Sequence, residues 1–135
     1  MFTGIVQGLA KVSHMERRTR FMSIRVGFPE NALRDVATGA SVAINGVCLT
    51  VTEFRQDWAS FDVIDETLDK TTLGGLSEGS RVNFERAATF GSEIGGHLLS
   101  GHISDTAKII ARESTDSNCS LSLQSLNAFL ELWKV

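Results

Sequence analysis

The stretch Ser41-Val42-Ala43-Ile44-Asn45-Gly46-Val47-Cys48-Leu49-Thr50-Val51-Thr52 decides the fold of this chain. Two runs that suit β-strands flank the dipeptide Asn45-Gly46, and both residues of that dipeptide tolerate the positive φ angles of a two-residue hairpin turn. In the second run, apolar residues alternate with a thiol and two hydroxyls, which is the period of a half-buried strand. The stretch therefore predicts an antiparallel hairpin with one core face and one face that presents polar groups.

The segments around this hairpin predict further strands. These cover residues 2–12, residues 22–28, residues 60–65, and the surroundings of Val82 and Phe84. Pro29 is expected to start a short helix over residues 30–35, because proline suits the first helical turn. The basic run Arg17-Arg18-Thr19-Arg20 is predicted to be a solvated hairpin tip. We therefore expect an all-β fold, a six-stranded closed antiparallel barrel with a short helix, since closure removes exposed strand edges.

The opening of the chain returns later in the sequence. Residues 1–12 (MFTGIVQGLAKV) align with residues 98–109 (LLSGHISDTAKI), and at the same offset Ile24 and Val26 fall on Leu121 and Leu123. A constant shift over such a span indicates duplication, with chance similarity between two strands as the alternative. We expect a first barrel over residues 1–97 and an incomplete second copy over residues 98–135.

The incomplete second copy would leave apolar side chains without a core. They are Leu121, Leu123, Phe129, Leu130, Leu132 and Trp133. Uncovered apolar surface favours association. We therefore predict that residues 104–135 dock onto another chain or are poorly ordered.

Composition excludes several classes of function. The net charge of −3 argues against non-specific nucleic-acid binding. No apolar stretch approaches the roughly 20 residues that cross a bilayer, and the first residues lack the basic region of a secretory signal. Cys48 and Cys119 are too few for a disulfide scaffold. We expect a cytoplasmic protein with reduced thiols that binds neither nucleic acid nor membrane.

Two segments offer polar groups to a ligand. Cys48 and Thr50 share the polar face of the predicted hairpin, although taken by themselves a small core filler and a strand-forming threonine are the simpler explanation. The stretch Asp62-Val63-Ile64-Asp65-Glu66-Thr67 carries three carboxylates, but Asp62 and Asp65 should point to opposite faces of one strand, which argues against a shared metal. Glu66-Thr67 lies where the strand is expected to end, so recognition and a cap or turn remain alternatives.

A third candidate segment is Gly95-Gly96-His97-Leu98-Leu99-Ser100-Gly101-His102. The spacing of its two histidines fits neither one helix face nor one strand face, and a third ligand is not evident, so no metal site is predicted. The glycines do not open a helix after a strand, which argues against a phosphate loop. His102 is instead a candidate neutral imidazole that exchanges a proton near pH 7.

Together these segments resemble one family, riboflavin synthase of the alpha-chain type. The resemblance rests on residues 1–6, 39–52, 66–68, 82–87 and 95–102, in that order. It implies two Greek-key barrels in tandem, assembly as a homotrimer, and no metal or cofactor. It also implies that two molecules of 6,7-dimethyl-8-ribityllumazine yield riboflavin and 5-amino-6-ribitylaminouracil, at a site between the first barrel of one subunit and the second of another.

The resemblance also implies a set of site residues. Carried over by motif, the substrate-binding residues are Gly4, Ile5, Val6, Ser41, Cys48, Leu49, Thr50, Asp62, Val63, Ile64, Asp65, Glu66, Thr67, Gly101, His102 and Ile103. Cys48 would act as a nucleophile or proton carrier, and His102 as a general base or acid.

Three accounts of this chain stay open at the level of sequence. It is a fragment of a full enzyme, a half-length protein that only binds lumazine or riboflavin, or a protein that becomes active by pairing two first barrels. A plain β-barrel interaction module without a small ligand is a further alternative.

Overall fold

The computed structural model describes residues 1–91 and 95–124, and the chain divides into two units, Met1–Ile103 and Ser104–Val135. The strands of the first unit are β1 Gly8–Arg17, β2 Phe21–Gly27, β3 Ser41–Ile44, β4 Val47–Phe54, β5 Trp58–Ile64 and β6 Arg81–Arg86. They close into an antiparallel barrel in the order β1-β2-β5-β4-β3-β6. The predicted six-stranded Greek-key barrel is confirmed.

The hairpin that decides the fold forms as predicted. Asn45 and Gly46 have φ angles of 49° and 81°, and Ile44 pairs with Val47 across the turn. Alternation sends Val47, Leu49 and Val51 into the barrel, while Cys48 is half-buried and Thr50 exposed. The side-chain faces inferred from the two-residue period are therefore correct.

The core lies inside the barrel and at one of its ends. Phe61 is fully buried on β5, and Phe28 packs edge-on against Phe84 with 5.1 Å between ring centroids. Large buried rings in tilted contact dominate the apolar area removed from water. This core fixes the positions of β4 and β5, and therefore the positions of the side chains on their outward faces.

Two predicted elements are wrong in their bounds or type. The first strand begins at Gly8, and residues 1–7 form a separate arm in which Phe2 bridges to Leu99. The predicted helix over residues 30–35 is a series of turns, because Asn31 and Asp35 have φ angles of 63° and 58°. Left-handed residues at both positions interrupt the hydrogen-bond ladder of a right-handed helix.

Two short helices follow β5 that the sequence reading did not predict. They are α1 Asp65–Lys70 and a 3₁₀ turn over Thr72–Gly75. Asp65 is therefore the first residue of a helix, so the premise that it lies on one strand with Asp62 is wrong. Within the described residues, no helix has the length and apolar character needed to cross a bilayer.

The second unit contains one hairpin in its described part. Strand β7 Lys108–Ser114 pairs with β8 Cys119–Gln124, and the side chains of Leu121 and Leu123 are exposed. Two hydrogen bonds lower the pKa of the Cys119 thiol. The larger effect comes from the Ser114 hydroxyl and the smaller one from Arg112. The predicted apolar residues Phe129, Leu130, Leu132 and Trp133 lie outside the described residues. The boundary between the two units falls after Ile103, whereas the sequence predicts that the second copy starts at residue 98. The repeat itself stays a prediction.

Candidate functional site

The N-terminal arm, residues 1–7, and the segment 95–103 lie together against one end of the barrel. The N–H of Phe2 donates to the Leu99 carbonyl at 2.8 Å, and the N–H of Leu99 donates back to the Phe2 carbonyl at 2.9 Å. The N–H of Cys48 donates to the Gly101 carbonyl at 2.9 Å. The start of β4 is thus joined to the 95–103 segment, which is in turn joined to the arm.

A cavity of about 340 Å³ opens where β4, α1 and the 95–103 segment meet, and we call it the β4–α1 cavity. Its volume falls within the roughly 300–1,000 Å³ of small-molecule sites. Its lining residues are Val47, Cys48, Glu66, Thr67, Lys70, Thr71, Gly101, His102 and Ile103. Six of the predicted site residues therefore meet in one cavity: Cys48, Glu66, Thr67, Gly101, His102 and Ile103.

Gly101 is required by the approach of its segment to β4. Its φ is 77°, and a Cβ added there would lie 2.8 Å from the Cβ of Cys48 and 3.1 Å from a ring carbon of Phe2. A side chain at this position would therefore be strained by the backbone conformation and would force its neighbours to shift. The glycine thereby places His102, the next residue, at the rim of the cavity.

Helix α1 contributes a paired charge to the cavity. The Nζ of Lys70 lies 2.6 Å from Oε1 of Glu66, four residues earlier, and both side chains are more than half exposed. The hydrogen bond from Lys70 and its positive charge lower the pKa of Glu66. Glu66 therefore remains a carboxylate, which only accepts hydrogen bonds, through the neutral range.

Lys70 and Thr71 were missed by the sequence reading. The hydroxyl of Thr71 donates to the Thr67 carbonyl at 2.6 Å, which closes the end of α1. The spacing of four between Glu66 and Lys70 is a helical signal. Recognising that helix would have placed the lysine beside the predicted glutamate.

Other predicted site residues line neighbouring surfaces. Gly4 and Val6 line a second cavity of about 240 Å³, which shares the stretch Gly101-His102-Ile103 with the first. Ile5 lies in a wider groove with Gly95. The structure therefore places Gly4 and Val6, but not Ile5, in a cavity that shares the Gly101-His102-Ile103 wall with the β4–α1 cavity.

The remaining predicted residues lie along the strands. Leu49 and Val63 point into the core, so their side chains do not reach an outside ligand. Ser41 pairs with Thr50 across β3 and β4. These positions offer a ligand mainly backbone groups and one exposed hydroxyl.

The β5 residues Asp62, Ile64 and the following Asp65 have different surroundings. Asp62 lies in an outer groove beside His14 and Arg25, and Ile64 is exposed. Asp65 forms an ion pair with Arg17 at 2.8 Å. Within residues 1–91 and 95–124, no three His, Cys, Asp or Glu side chains are placed to hold one metal ion.

Comparison with known sequences identifies relatives of this chain. The Lumazine binding domain family model matches residues 3–87. The chain is 50% identical over 118 residues to riboflavin synthase of Escherichia coli (strain K12), covering 87% of this chain and 55% of the relative. It is 40% identical over 109 residues to riboflavin synthase of Bacillus subtilis (strain 168), covering 81% of this chain and 50% of the relative. The chain spans about half the length of the curated relatives it matches.

Comparison with solved structures agrees on the fold. The structure of LumP complexed with riboflavin aligns with a TM-score of 0.85 and 29% identity, covering 97% of this chain and 71% of that one. The structure of LumP complexed with 6,7-dimethyl-8-(1'-D-ribityl) lumazine aligns with a TM-score of 0.83 and 25% identity, covering 98% and 70%. The resemblance drawn from the motifs is confirmed, and the chain belongs to the lumazine-binding domain family.

Proposed function

We propose that this chain is a riboflavin synthase chain and that its β4–α1 cavity binds 6,7-dimethyl-8-ribityllumazine. The observation that carries the proposal is that Cys48, Glu66, Thr67 and His102, distant in sequence, line one cavity. That cavity belongs to a barrel that matches structures of LumP with lumazine and with riboflavin. In the proposed reaction, one lumazine gives a four-carbon unit to a second, leaving riboflavin and 5-amino-6-ribitylaminouracil.

The groups around the cavity suit the two halves of this ligand. The flat ring has an amide-like edge that strand backbone and the Thr50 hydroxyl match, at about 1 kcal/mol net for each hydrogen bond. The ribityl hydroxyls need acceptors, which the Glu66 carboxylate and the Thr67 hydroxyl provide. Lys70 lowers the pKa of Glu66, which favours the ionised form of this acceptor. Ser41 and Asp62 are proposed as further partners of the ribityl chain.

The remaining predicted substrate-binding residues are proposed to surround the bound ligand. Gly4 and Val6 would support the ring from behind the Gly101-His102-Ile103 wall, because both line the adjacent cavity, and Ile5 would hold the backbone between them. Leu49 and Val63 would contribute only backbone groups, since their side chains are buried. Ile64 and Asp65 would contact the ligand from the junction of β5 with α1.

The proposed chemistry requires little covalent help from the protein. The 7-methyl group of the lumazine is acidic, so its anion serves as an enamine-like nucleophile toward the second ring. Holding two rings in a reactive arrangement supplies a large part of the rate, because the encounter becomes intramolecular. His102 would accept or donate the proton, and Cys48 would act as nucleophile or proton carrier. Because two rings are needed, we propose that a homo-oligomer, a trimer in the family, completes the site. A cytoplasmic location stays part of this prediction.

The test is to incubate the purified chain with 6,7-dimethyl-8-ribityllumazine and to follow riboflavin by absorbance. Ligand binding is measured separately by fluorescence titration. Riboflavin formation supports the proposal in full. Binding without product would make the chain a non-catalytic lumazine carrier, and no binding of lumazine or riboflavin would overturn both readings.

Two cysteine variants locate the chemistry. Cys48→Ser is expected to slow product formation, because it replaces the thiol at the cavity. Cys119→Ser is the matched control, since Cys119 is an exposed cysteine in the hairpin of the second unit. Undiminished turnover of Cys48→Ser would remove the proposed role of the thiol.

A further inference from the structure

Glu85 on β6 holds the N-terminal arm by three hydrogen bonds. Its Oε1 accepts from the N–H of Thr3 at 2.6 Å and from the Thr3 hydroxyl at 2.8 Å. Its Oε2 accepts from the N–H of Gly4 at 3.1 Å. The side chain is 7% exposed. A buried carboxylate is costly unless its oxygens are satisfied, so these bonds fix the arm strongly.

The arm is in turn hydrogen-bonded to the segment 95–103. Phe2 exchanges two backbone hydrogen bonds with Leu99, and the N–H of His97 donates to the Thr3 carbonyl at 3.0 Å. The ring of Phe2 is buried and lies close to Gly101. An unbroken series of contacts therefore leads from the Glu85 carboxylate to the residue that precedes His102.

The last contact joins the segment to the candidate site. The Gly101 carbonyl accepts from the N–H of Cys48, and the stretch Gly101-His102-Ile103 forms one wall of the β4–α1 cavity. Glu85 itself does not line that cavity. It lines the adjacent cavity instead, and its hydrogen bonds reach the wall of the β4–α1 cavity through the arm and the 95–103 segment.

We infer that Glu85 is a positioning residue that fixes the wall carrying His102 by clamping Thr3 and Gly4. The part of this inference that concerns ligand affinity rests on the proposed function. The part that concerns the clamp does not, because it follows from contacts within the unliganded protein.

Three variants of the full chain test the clamp. Glu85→Ala removes both acceptor oxygens and with them all three hydrogen bonds. Glu85→Gln keeps an oxygen for Thr3 but turns an amide N–H₂ toward the N–H of Gly4, so one bond is lost. Glu78→Ala is the matched control, because Glu78 also accepts from a backbone N–H, that of Met15 at 3.0 Å, on the exposed side of β1.

Hydrogen exchange of the unliganded variants is the first measurement. Glu85→Ala is expected to speed exchange at the amides of Leu99 and Cys48 by about tenfold or more, which corresponds to losing roughly one charge-assisted bond. Glu85→Gln should lie between this variant and the wild type. Amides in the β2–β5 ladder should keep their protection. Unchanged exchange at Leu99 and Cys48 in a folded Glu85→Ala protein would overturn the inference.

Riboflavin titration is the second measurement. Glu85→Ala is expected to bind riboflavin about tenfold more weakly or worse, while Glu78→Ala binds as the wild type does. Equal affinity of wild type and Glu85→Ala would overturn the positioning role. A wild type that binds neither riboflavin nor 6,7-dimethyl-8-ribityllumazine would instead overturn the proposed function, and the exchange data would still decide the clamp.

A variant of the arm covers the case in which Glu85→Ala does not fold. Thr3→Val removes the hydroxyl bond to Glu85 and the bond of 3.2 Å that this hydroxyl accepts from the N–H of Ile5, and it leaves the N–H donors of Thr3 and Gly4 to Glu85 in place. It is expected to raise exchange at Leu99 by less than Glu85→Gln does. A wild-type exchange pattern in both Thr3→Val and Glu85→Gln would contradict the clamp.

Discussion

Replacing Gly101 with alanine perturbs the closest contact between the 95–103 segment and β4. The new Cβ would lie 2.8 Å from the Cβ of Cys48, 3.1 Å from its nitrogen and 3.1 Å from a ring carbon of Phe2. Two of these atoms belong to the backbone or its first side-chain carbon, so they cannot rotate away. The 95–103 segment must therefore move outward, which lengthens the hydrogen bond between the Cys48 N–H and the Gly101 carbonyl.

The size of the effect follows from two costs. An alanine at a φ of 77° costs about 1 kcal/mol, because its Cβ meets the following carbonyl in the left-handed region. Losing the hydrogen bond to Cys48 costs about 1 kcal/mol more. We expect Gly101→Ala to lower the free energy of unfolding by about 2 kcal/mol and to weaken riboflavin binding about tenfold, since the cavity wall moves.

Gly39→Ala separates the two costs. Gly39 has a φ of 87° and no atom within 4 Å of an added Cβ, so its replacement carries only the backbone strain of about 1 kcal/mol. Urea unfolding of both variants gives the stability difference, and fluorescence titration with riboflavin gives the affinity. If Gly101→Ala matched Gly39→Ala in both measurements, the packing of Gly101 against β4 would not shape the site.

Three more outcomes are expected. Phe61→Ala should lower the free energy of unfolding by about 3–5 kcal/mol in urea titrations, because the ring is fully buried in the barrel; a loss below about 1 kcal/mol would contradict that packing. Lys70→Met should raise the pKa of Glu66 in an NMR titration, and an unchanged titration of Glu66 would refute the pair. The stabilisation that this pair gives the folded state is present above the pKa of Glu66 in the unfolded chain, and it is lost as the pH falls through the lower pKa of Glu66 in the folded protein. Iodoacetamide should label Cys119 before Cys48, because the former is exposed and a serine hydroxyl lowers the pKa of its thiol; the reverse order would contradict this.

The barrel was predictable from sequence because its information is local. The turn dipeptide Asn45-Gly46 fixes the register of the hairpin, and two-residue alternation assigns the faces of β4 and β5. The start of β1 was not predictable in the same way. Residues 1–7 look like strand, yet they leave the barrel because Glu85, more than 80 positions away, binds Thr3 and Gly4. A contact of that separation leaves no periodic signal.

The candidate site was only partly predictable for a related reason. Motif resemblance named Cys48, Glu66 and His102, and the structure brings them to one cavity. Lys70 was missed because α1 has only six residues and directly follows a strand, so the single spacing of four between Glu66 and Lys70 is too short a pattern to indicate a helix. Short elements are specified by tertiary contacts more than by their own propensity.

The number of lumazine sites links the fold to the proposed reaction. Dismutation needs two lumazines in contact, whereas the described residues close one barrel with one β4–α1 cavity. We therefore propose that, in a sample of this chain alone, a second copy of the chain presents the second ring. We expect the rate of riboflavin formation per chain to rise with protein concentration until the oligomer saturates, as measured by absorbance alongside sedimentation. A rate per chain that stays constant down to concentrations at which the protein is monomeric would show that one chain aligns both rings, and would refute a site shared between copies.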